Sequence, residues 1–379
     1  MKTVNDFNFK DKKALVRVDF NVPQSADLKV TDNTRIVAAK PTIDKILNDG
    51  GSVILMTHLG RPKGKKTEEF SLKNLVNEIE NVMGRTVLFC HDCIGEDAEN
   101  LPKALKPGAI LLLENLRFYD GEEKGDVTFA KNLSKYADAY VNDAFGTAHR
   151  AHASTAIIAQ YFPETKFFGL LMAKELEAID KVLKNGEKPV TAIIGGSKVS
   201  SKITIIENML PAIDHLIIGG GMAFTFIKAL GGNIGNSLVE VDKMDLALEI
   251  IAKAKSMNVR ICLPVDVITA DEFNNDAERK ELDAYQIPEN WMGLDVGPRT
   301  RKLFHDIIMN SRTILWNGPV GVFEMPNFAA GTIRLGDSIA EATRLGAFSL
   351  VGGGDSVAFV KQNGYESKVS YVSTGGGAM

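Results

Sequence analysis

Short runs that are apolar from end to end recur along this chain, each closed by a polar or glycine-rich break and followed by a longer amphipathic stretch. Ala14 to Phe20, Ser52 to Met56, Ala109 to Leu113 and Ala139 to Val141 make a first set. Thr191 to Ile194, Leu216 to Ile218, Arg260 to Leu263, Thr313 to Trp316, Phe348 to Val351 and Val369 to Val372 make a second. A strand with one wet face alternates polar and apolar residues, so a run without alternation reads as a strand buried on both faces. Helical patterns such as SLKNLVNEIENVM and KMDLALEIIAKAKSM lie between the runs, which predicts βαβ units and mostly parallel sheets flanked by helices. So many strands in one twisted layer would be uncommon, and the expectation is two Rossmann-like α/β domains. The stretch from Phe168 through Leu183 is a long helical pattern closed by Asn185 and Gly186. It predicts an N-terminal domain over 1–167, an interdomain helix and hinge over 168–186, and a C-terminal domain over 187–379.

A chain of 379 residues can bury two cores without disulfides or structural metal. Its 44 Lys+Arg against 48 Asp+Glu give a net charge of −4, and 45% hydrophobic with 24% charged residues is ordinary globular usage. Neither nucleic-acid binding nor disorder is expected. The start, MKTVNDFNFKDKK, has no apolar segment, and no run approaches the roughly 20 residues of a membrane span. A cytoplasmic protein without signal peptide or membrane contact is therefore expected. Cys90 and Cys93 form a lone CxxC and Cys262 stands apart, which reads as idle thiols in a reducing compartment.

Ligands of open α/β sheets bind beyond the carboxyl ends of the strands. In the first half those breaks read RVDFNVP, THLGRP, ENLRF and NDAFGTAHRAHAS, with Arg35 following in TRI. Any single Arg among Arg17, Arg35, Arg61, Arg117 and Arg150 could be a surface ion pair. A guanidinium also forks onto carboxylate or phosphate oxygens, and several at successive strand ends, with His58, His149 and His152 among them, point to a small phosphorylated acid. In the second half the breaks are IIGGSK, IIGGGMAF, WNGPVGVFE, VGGGDS and VSTGGG. Glycine brings backbone N–H groups close to a ligand, so this series points to a polyphosphate.

No GxGxxG follows a strand and no GxxxxGK[ST] exists, which counts against a dinucleotide fold and removes the P-loop class. Lys198 and Lys202 are four apart in SKVSSKITIIENML, a spacing that places both on one face of a helix at its first turns, beside Gly195 and Gly196. Asp355 opens DSVAFVKQNG as an N-cap that can also approach a Mg²⁺ bridging phosphates. Glu324 reads either as a loop carboxylate or as an acceptor for ribose hydroxyls.

The strings RVDFNVP, THLGRP, LLENLRF, DAFGTAHRAHAS, GGSKVS, GGGMAFTF, LPVDV, WNGPVGVFE, GGGD and STGGG, in that order from near Met1 to Met379, resemble the phosphoglycerate kinase family. The resemblance implies a two-domain hinge enzyme moving a phosphoryl group reversibly between 1,3-bisphosphoglycerate and ADP, giving 3-phosphoglycerate and ATP, as a monomer with Mg²⁺. It places acid binding on Asp19, Asn21, Arg35, His58, Arg61, Arg117 and Arg150. Nucleotide binding falls on Gly196, Ser197, Lys198, Lys202, Gly219, Gly220, Gly293, Asn317, Glu324, Gly353, Gly354, Asp355 and Ser356, with Asp355 on the metal. Transfer falls to Arg35, Lys198 and Lys202, helped by the N–H groups of Gly375 and Gly376, and no general base is needed. Many relatives have Asp where this chain has Ser201 and Thr where it has Ser356. Relatives also continue past the last Gly triplet with a segment returning to the first domain, which leads to an expectation of depressed turnover for a chain stopping at Met379. Two other classes fit less of the chain. A hydride-transfer enzyme needs the missing dinucleotide fingerprint, and a non-catalytic nucleotide sensor leaves the Arg/His cluster idle.

Overall fold

The computed structural model describes residues 1–378, so the expectation attached to Met379 lies outside the described residues. The chain forms two compact units, Met1–Leu176 and Glu177–Gly377.

In the first unit β1 (Lys13–Arg17), β2 (Ser52–Met56), β3 (Val87–Phe89), β4 (Ile110–Leu112), β5 (Ala139–Asn142) and β6 (Lys166–Phe168) make a six-stranded sheet in the order β3-β4-β2-β1-β5-β6. Every pair is parallel. The lack of alternation in the sequence has its cause here. Ala14, Val16, Val53 and Leu55 enter one core, and Leu15, Ile54 and Met56 enter another on the opposite face. Each face is covered by helices, so neither set of side chains meets water.

In the second unit β7 (Val190–Ile194), β8 (His215–Ile218), β10 (Arg260–Cys262), β15 (Thr313–Asn317), β16 (Phe348–Gly352) and β17 (Tyr371–Val372) form a parallel sheet ordered β10-β8-β7-β15-β16-β17. Ala192, Ile194 and Leu315 pack on one face while Ile193, Ile314 and Trp316 pack on the other. Two small sheets are added, and one of them breaks the parallel rule. β11 (Asp266–Ala270) pairs antiparallel with β12 (Arg279–Asp283) and β14 (Met292–Val296), whereas β9 (Asn233–Ile234) pairs parallel with β13 (Gln286–Ile287).

The helix between the halves runs Leu170–Leu183, two residues shorter at its start than the pattern predicted. Phe168 is the last residue of β6, and Gly169 lies against Asp143. The Asp143 carboxylate accepts the Met172 N–H at 3.0 Å and the Thr42 hydroxyl accepts the Leu170 N–H at 2.8 Å. These partners satisfy the orphan donors of the first turn and fix where the helix begins. At the other end Lys184 and Asn185 close the last turn on the Asp180 carbonyl.

Candidate functional site

β4, β2, β1 and β5 are neighbours in the first sheet, so the four Arg-rich breaks follow adjacent strand ends. Arg35 stands in the first turn of the helix Thr34–Asn48, where a cation opposes the helix dipole unless it is paired. Its Nη1 donates to Asp19 Oδ2 and to the Asn21 carbonyl, both at 3.1 Å. Asn21 Oδ1 in turn accepts the Gly60 N–H at 2.9 Å, and the Gly60 carbonyl accepts Arg117 Nη1 at 2.8 Å. Asp19, Asn21, Arg35 and Arg117 thus share one network that pins the backbone immediately before Arg61. Arg61 itself is exposed and makes no ion pair among the described residues. Arg150, half-buried, donates to His149 Nε2 at 3.0 Å and is not hydrogen-bonded to that network.

The buried imidazoles report the field. Burial, then Arg17, Arg117 and Arg35, hold the His58 pKa well below its ordinary value. Burial, then Arg117, Arg17 and Arg150, bring His152 down to about 4. Both rings are neutral near pH 7 inside a strongly positive pocket, which suits a small polyanion. Burial also lowers Arg117, with Arg150 acting in the same direction and Glu123, 3.2 Å from its Nε, acting against. Glu122 and Ser154, both fully buried beneath this cluster, escaped the sequence reading, since nothing in DGEEKG or RAHAS distinguishes them from surface residues.

In the second unit β8, β7, β15 and β16 are adjacent, and their glycine-rich ends border a cavity of about 550 Å³. Gly196, Ser197, Gly220, Gly293, Glu324 and Asp355 line it. Lys202, Asn317, Gly353 and Ser356 stand at the same strand ends without lining it. Lys202 Nζ donates to Asn317 Oδ1 at 2.7 Å, and the Ser356 Oγ accepts the Gly318 N–H at 2.6 Å. Burial lowers the Lys202 pKa while Asp355 pulls it back. Gly219 is packed against Val320 and Gly293 against the Phe224 ring, so both are required by the fold itself; Gly354 faces open space.

Three readings of local structure are corrected. The helix begins at Ile203, not before Lys198, so the two lysines do not share a helical face. Ser201 Oγ bonds the Lys198 carbonyl at 2.9 Å, and Ser200 turns its N–H and hydroxyl to Glu240; serine groups that compete for backbone partners delay helix entry. Lys198 is exposed in the preceding turn and Lys202 is the N-cap position. Asp355 is not a cap either, because the helix Gly354–Gln362 is entered through Gly353 at φ +82°, a conformation open to glycine alone. Asp355 is the second helical residue, exposed toward the cavity. The Gly375 N–H is spent on Ser373 Oγ at 3.0 Å, leaving Gly376, at φ +53°, as the remaining member of that pair.

Residues 4–379 match the family model described as phosphoglycerate kinase. The chain belongs to the phosphoglycerate kinase family. It is 52% identical over 401 residues to the phosphoglycerate kinase of Porphyromonas gingivalis, covering 100% of this chain and 96% of that one. It is 52% identical to the cytosolic phosphoglycerate kinase of Triticum aestivum, covering 99% and 93%. Among solved structures, the phosphoglycerate kinase of Coxiella burnetii matches with a TM-score of 0.90 at 40% identity over 99% of this chain and 94% of that one. The enzyme from Pyrococcus horikoshii matches at 0.83 and 32% identity, covering 100% and 94%. Membership makes this chain an enzyme of phosphoryl transfer with a nucleotide substrate, and nothing favours a hydride-transfer or non-catalytic reading. No helix among the described residues is long and apolar enough to cross a membrane.

Proposed function

We propose that the two units divide the substrates of the phosphoglycerate kinase reaction. 3-Phosphoglycerate or 1,3-bisphosphoglycerate meets Asp19, Asn21, Arg35, His58, Arg61, Arg117 and Arg150, and ADP or ATP meets the glycine-lined cavity of the second unit. The observation that carries this reading is the pairing of chemistries: guanidinium and neutral imidazole groups at four neighbouring strand ends of one sheet, and glycine breaks with Lys202 at four neighbouring strand ends of the other.

An acyl phosphate is already a good donor, so the protein's part is to orient the reactants in line, exclude water and neutralise the migrating group. Lys202, freed from Asn317, follows the phosphoryl group; Lys198 and Arg35 add charge. Hinge closure around the interdomain helix brings the reactants within reach. Mg²⁺ fits the donor set. A hard cation on a nucleotide needs only one or two carboxylates beside phosphate oxygens, and Asp355 presents one at the cavity without any three-ligand cluster among the described residues. When bound there, Mg²⁺ neutralises phosphate charge. The chain works as a cytoplasmic monomer, checked by sedimentation at the mass of one chain.

The deciding assay measures ADP from MgATP with and without 3-phosphoglycerate. Formation should depend strongly on the acid, because water alone does not complete the closed site. Equal rates in both arms would overturn the reading.

A further inference from the structure

Beneath the acid-binding side chains runs a buried chain of hydrogen bonds that none of the roles above uses. Glu122, in the short helix Asp120–Glu123, and Ser154, from the loop after β5, are both 0% exposed, and so is Arg17 at the end of β1. Glu122 takes two bonds from Ser154: the N–H at 3.0 Å on Oε2 and the hydroxyl at 2.6 Å on Oε1. The Ser154 peptide is itself fixed, since its carbonyl accepts the Tyr140 hydroxyl at 2.8 Å. Arg17 Nε then donates to Ser154 Oγ at 2.8 Å, Nη1 donates to the Val18 carbonyl, and Nη2 lies 3.2 Å from His58 Nδ1.

The direction of every bond is forced. An ionised carboxylate only accepts, so the single Ser154 proton points at Glu122, and the hydroxyl lone pairs are left for Arg17. A guanidinium only donates, so His58 Nδ1 must be the acceptor and carries no proton. The neutral ring, 4% exposed, therefore holds its hydrogen on Nε2, which makes no hydrogen bond among the described residues. We propose that Glu122 and Ser154 are positioning residues which, through Arg17, lock His58 as an Nε2–H donor toward an anionic oxygen of the acid. The reverse tautomer would present a lone pair to that anion. Glu122 also supplies the negative charge that lets Arg17 stay buried without touching it, because a direct ion pair would leave Ser154 and His58 without their partners.

The placing of His58 against the acid rests on the substrate assignment above, so the test reads the relay and the substrate separately. Long-range proton–nitrogen NMR of the full-length chain with labelled histidine should show His58 protonated on Nε2 and bare on Nδ1. Ser154→Ala removes the acceptor of Arg17, and Glu122→Gln sets amide hydrogens against the Ser154 hydroxyl proton; both should shift the His58 pattern. Ser154→Ala should raise KM for 3-phosphoglycerate about 10-fold, as losses of supporting hydrogen-bond partners do. Calorimetric affinity for MgADP should stay unchanged. In a His58→Ala background the same substitution should add less than about 2-fold, since residues in one network do not act additively. A proton on Nδ1 in the unmodified chain overturns the relay, and so does a His58 pattern indifferent to Ser154→Ala. A shifted pattern with unmoved KM supports the relay and removes His58 from the acid site.

Discussion

At the scale of single residues, charge that moves with the reaction separates from charge that merely holds. Lys202, whose pKa burial lowers, donates to Asn317 Oδ1 at the strand ends, and its proposed role gives it its strongest interaction with the migrating phosphoryl group. Lys202→Ala is expected to lower kcat by about 10²–10³, the loss seen when one donor to developing charge is removed. Arg61→Ala, at an exposed and unpaired cation, should chiefly raise KM for the acid. Steady-state kinetics with both substrates varied distinguishes the two, and an unchanged kcat would reassign Lys202 to ground-state binding. Proton linkage is also legible residue by residue. His152 falls from 6.5 to about 4 on folding, so its contribution to stability is present above pH 6.5 and lost as pH falls through 4. Asp143 rises from 3.8 to about 6 because burial outweighs its bonds to Thr42 and Met172, so its contribution is present below pH 3.8 and lost as pH rises through 6. The two slopes oppose each other, each at most about 1.4 kcal/mol per pH unit. His152→Gln should flatten the acid side of a stability profile, and Asp143→Asn should gain on the parent above pH 6. Urea midpoints from pH 4.5 to 7.5 check both.

Elements explain what the sequence could and could not say. The parallel strands were legible because both faces of β1, β2, β7 and β15 are covered, which erases alternation from the sequence. β3 and β6 were not, being three-residue edge strands, with Leu88 exposed in one and Lys166 in the other. Of the antiparallel strands, β12 was masked by the charged residues of RKELD, most of whose side chains face water. The candidate site residues were legible as types at strand ends, but their local geometry was not. Spacing alone placed Lys198 on the helix, whereas the hydroxyls of Ser200 and Ser201 diverted the backbone. The loop from β16 into the helix Gly354–Gln362 tests which glycines serve the fold and which serve a ligand. A Cβ on Gly353 would sit 2.5 Å from Asn317 Oδ1 and force a non-glycine residue to φ +82°. Gly353→Ala should therefore cost at least about 1–3 kcal/mol in unfolding measurements. Gly354 has an ordinary φ and nothing within 4 Å of its would-be Cβ, so Gly354→Ala should keep its stability. If nucleotide phosphate occupies that space, calorimetry will show weakened MgADP binding for this folded, stable variant; unchanged binding would move the phosphates elsewhere.

For the molecule as a whole, the proposal assigns each ligand to one unit with its own sheet and with core clusters on both faces of that sheet. The clusters packed on the faces of the first sheet take all their residues from Met1–Leu176, and those on the second sheet take theirs from Glu177–Gly377. A ligand that binds only the folded form of a unit stabilises that unit by RT ln(1 + [L]/Kd), about 2.7 kcal/mol at 100 times Kd. Amides that exchange only when the unit opens should slow by about 100-fold, and amides of the other unit should keep their rates. The sheet centres are the right reporters, because Leu15, Ile54, Ile193 and Trp316 are all fully buried. Hydrogen exchange with 3-phosphoglycerate alone should slow β1 and β2 and leave β7 and β15 unchanged, and MgADP alone should do the reverse. Because neither experiment needs turnover, the result does not depend on the catalytic roles of Lys202 or Arg35. Slowing of all four strands by MgADP alone would mean that the units open together or that the nucleotide reaches both, and either outcome would remove the assignment of one substrate to each unit.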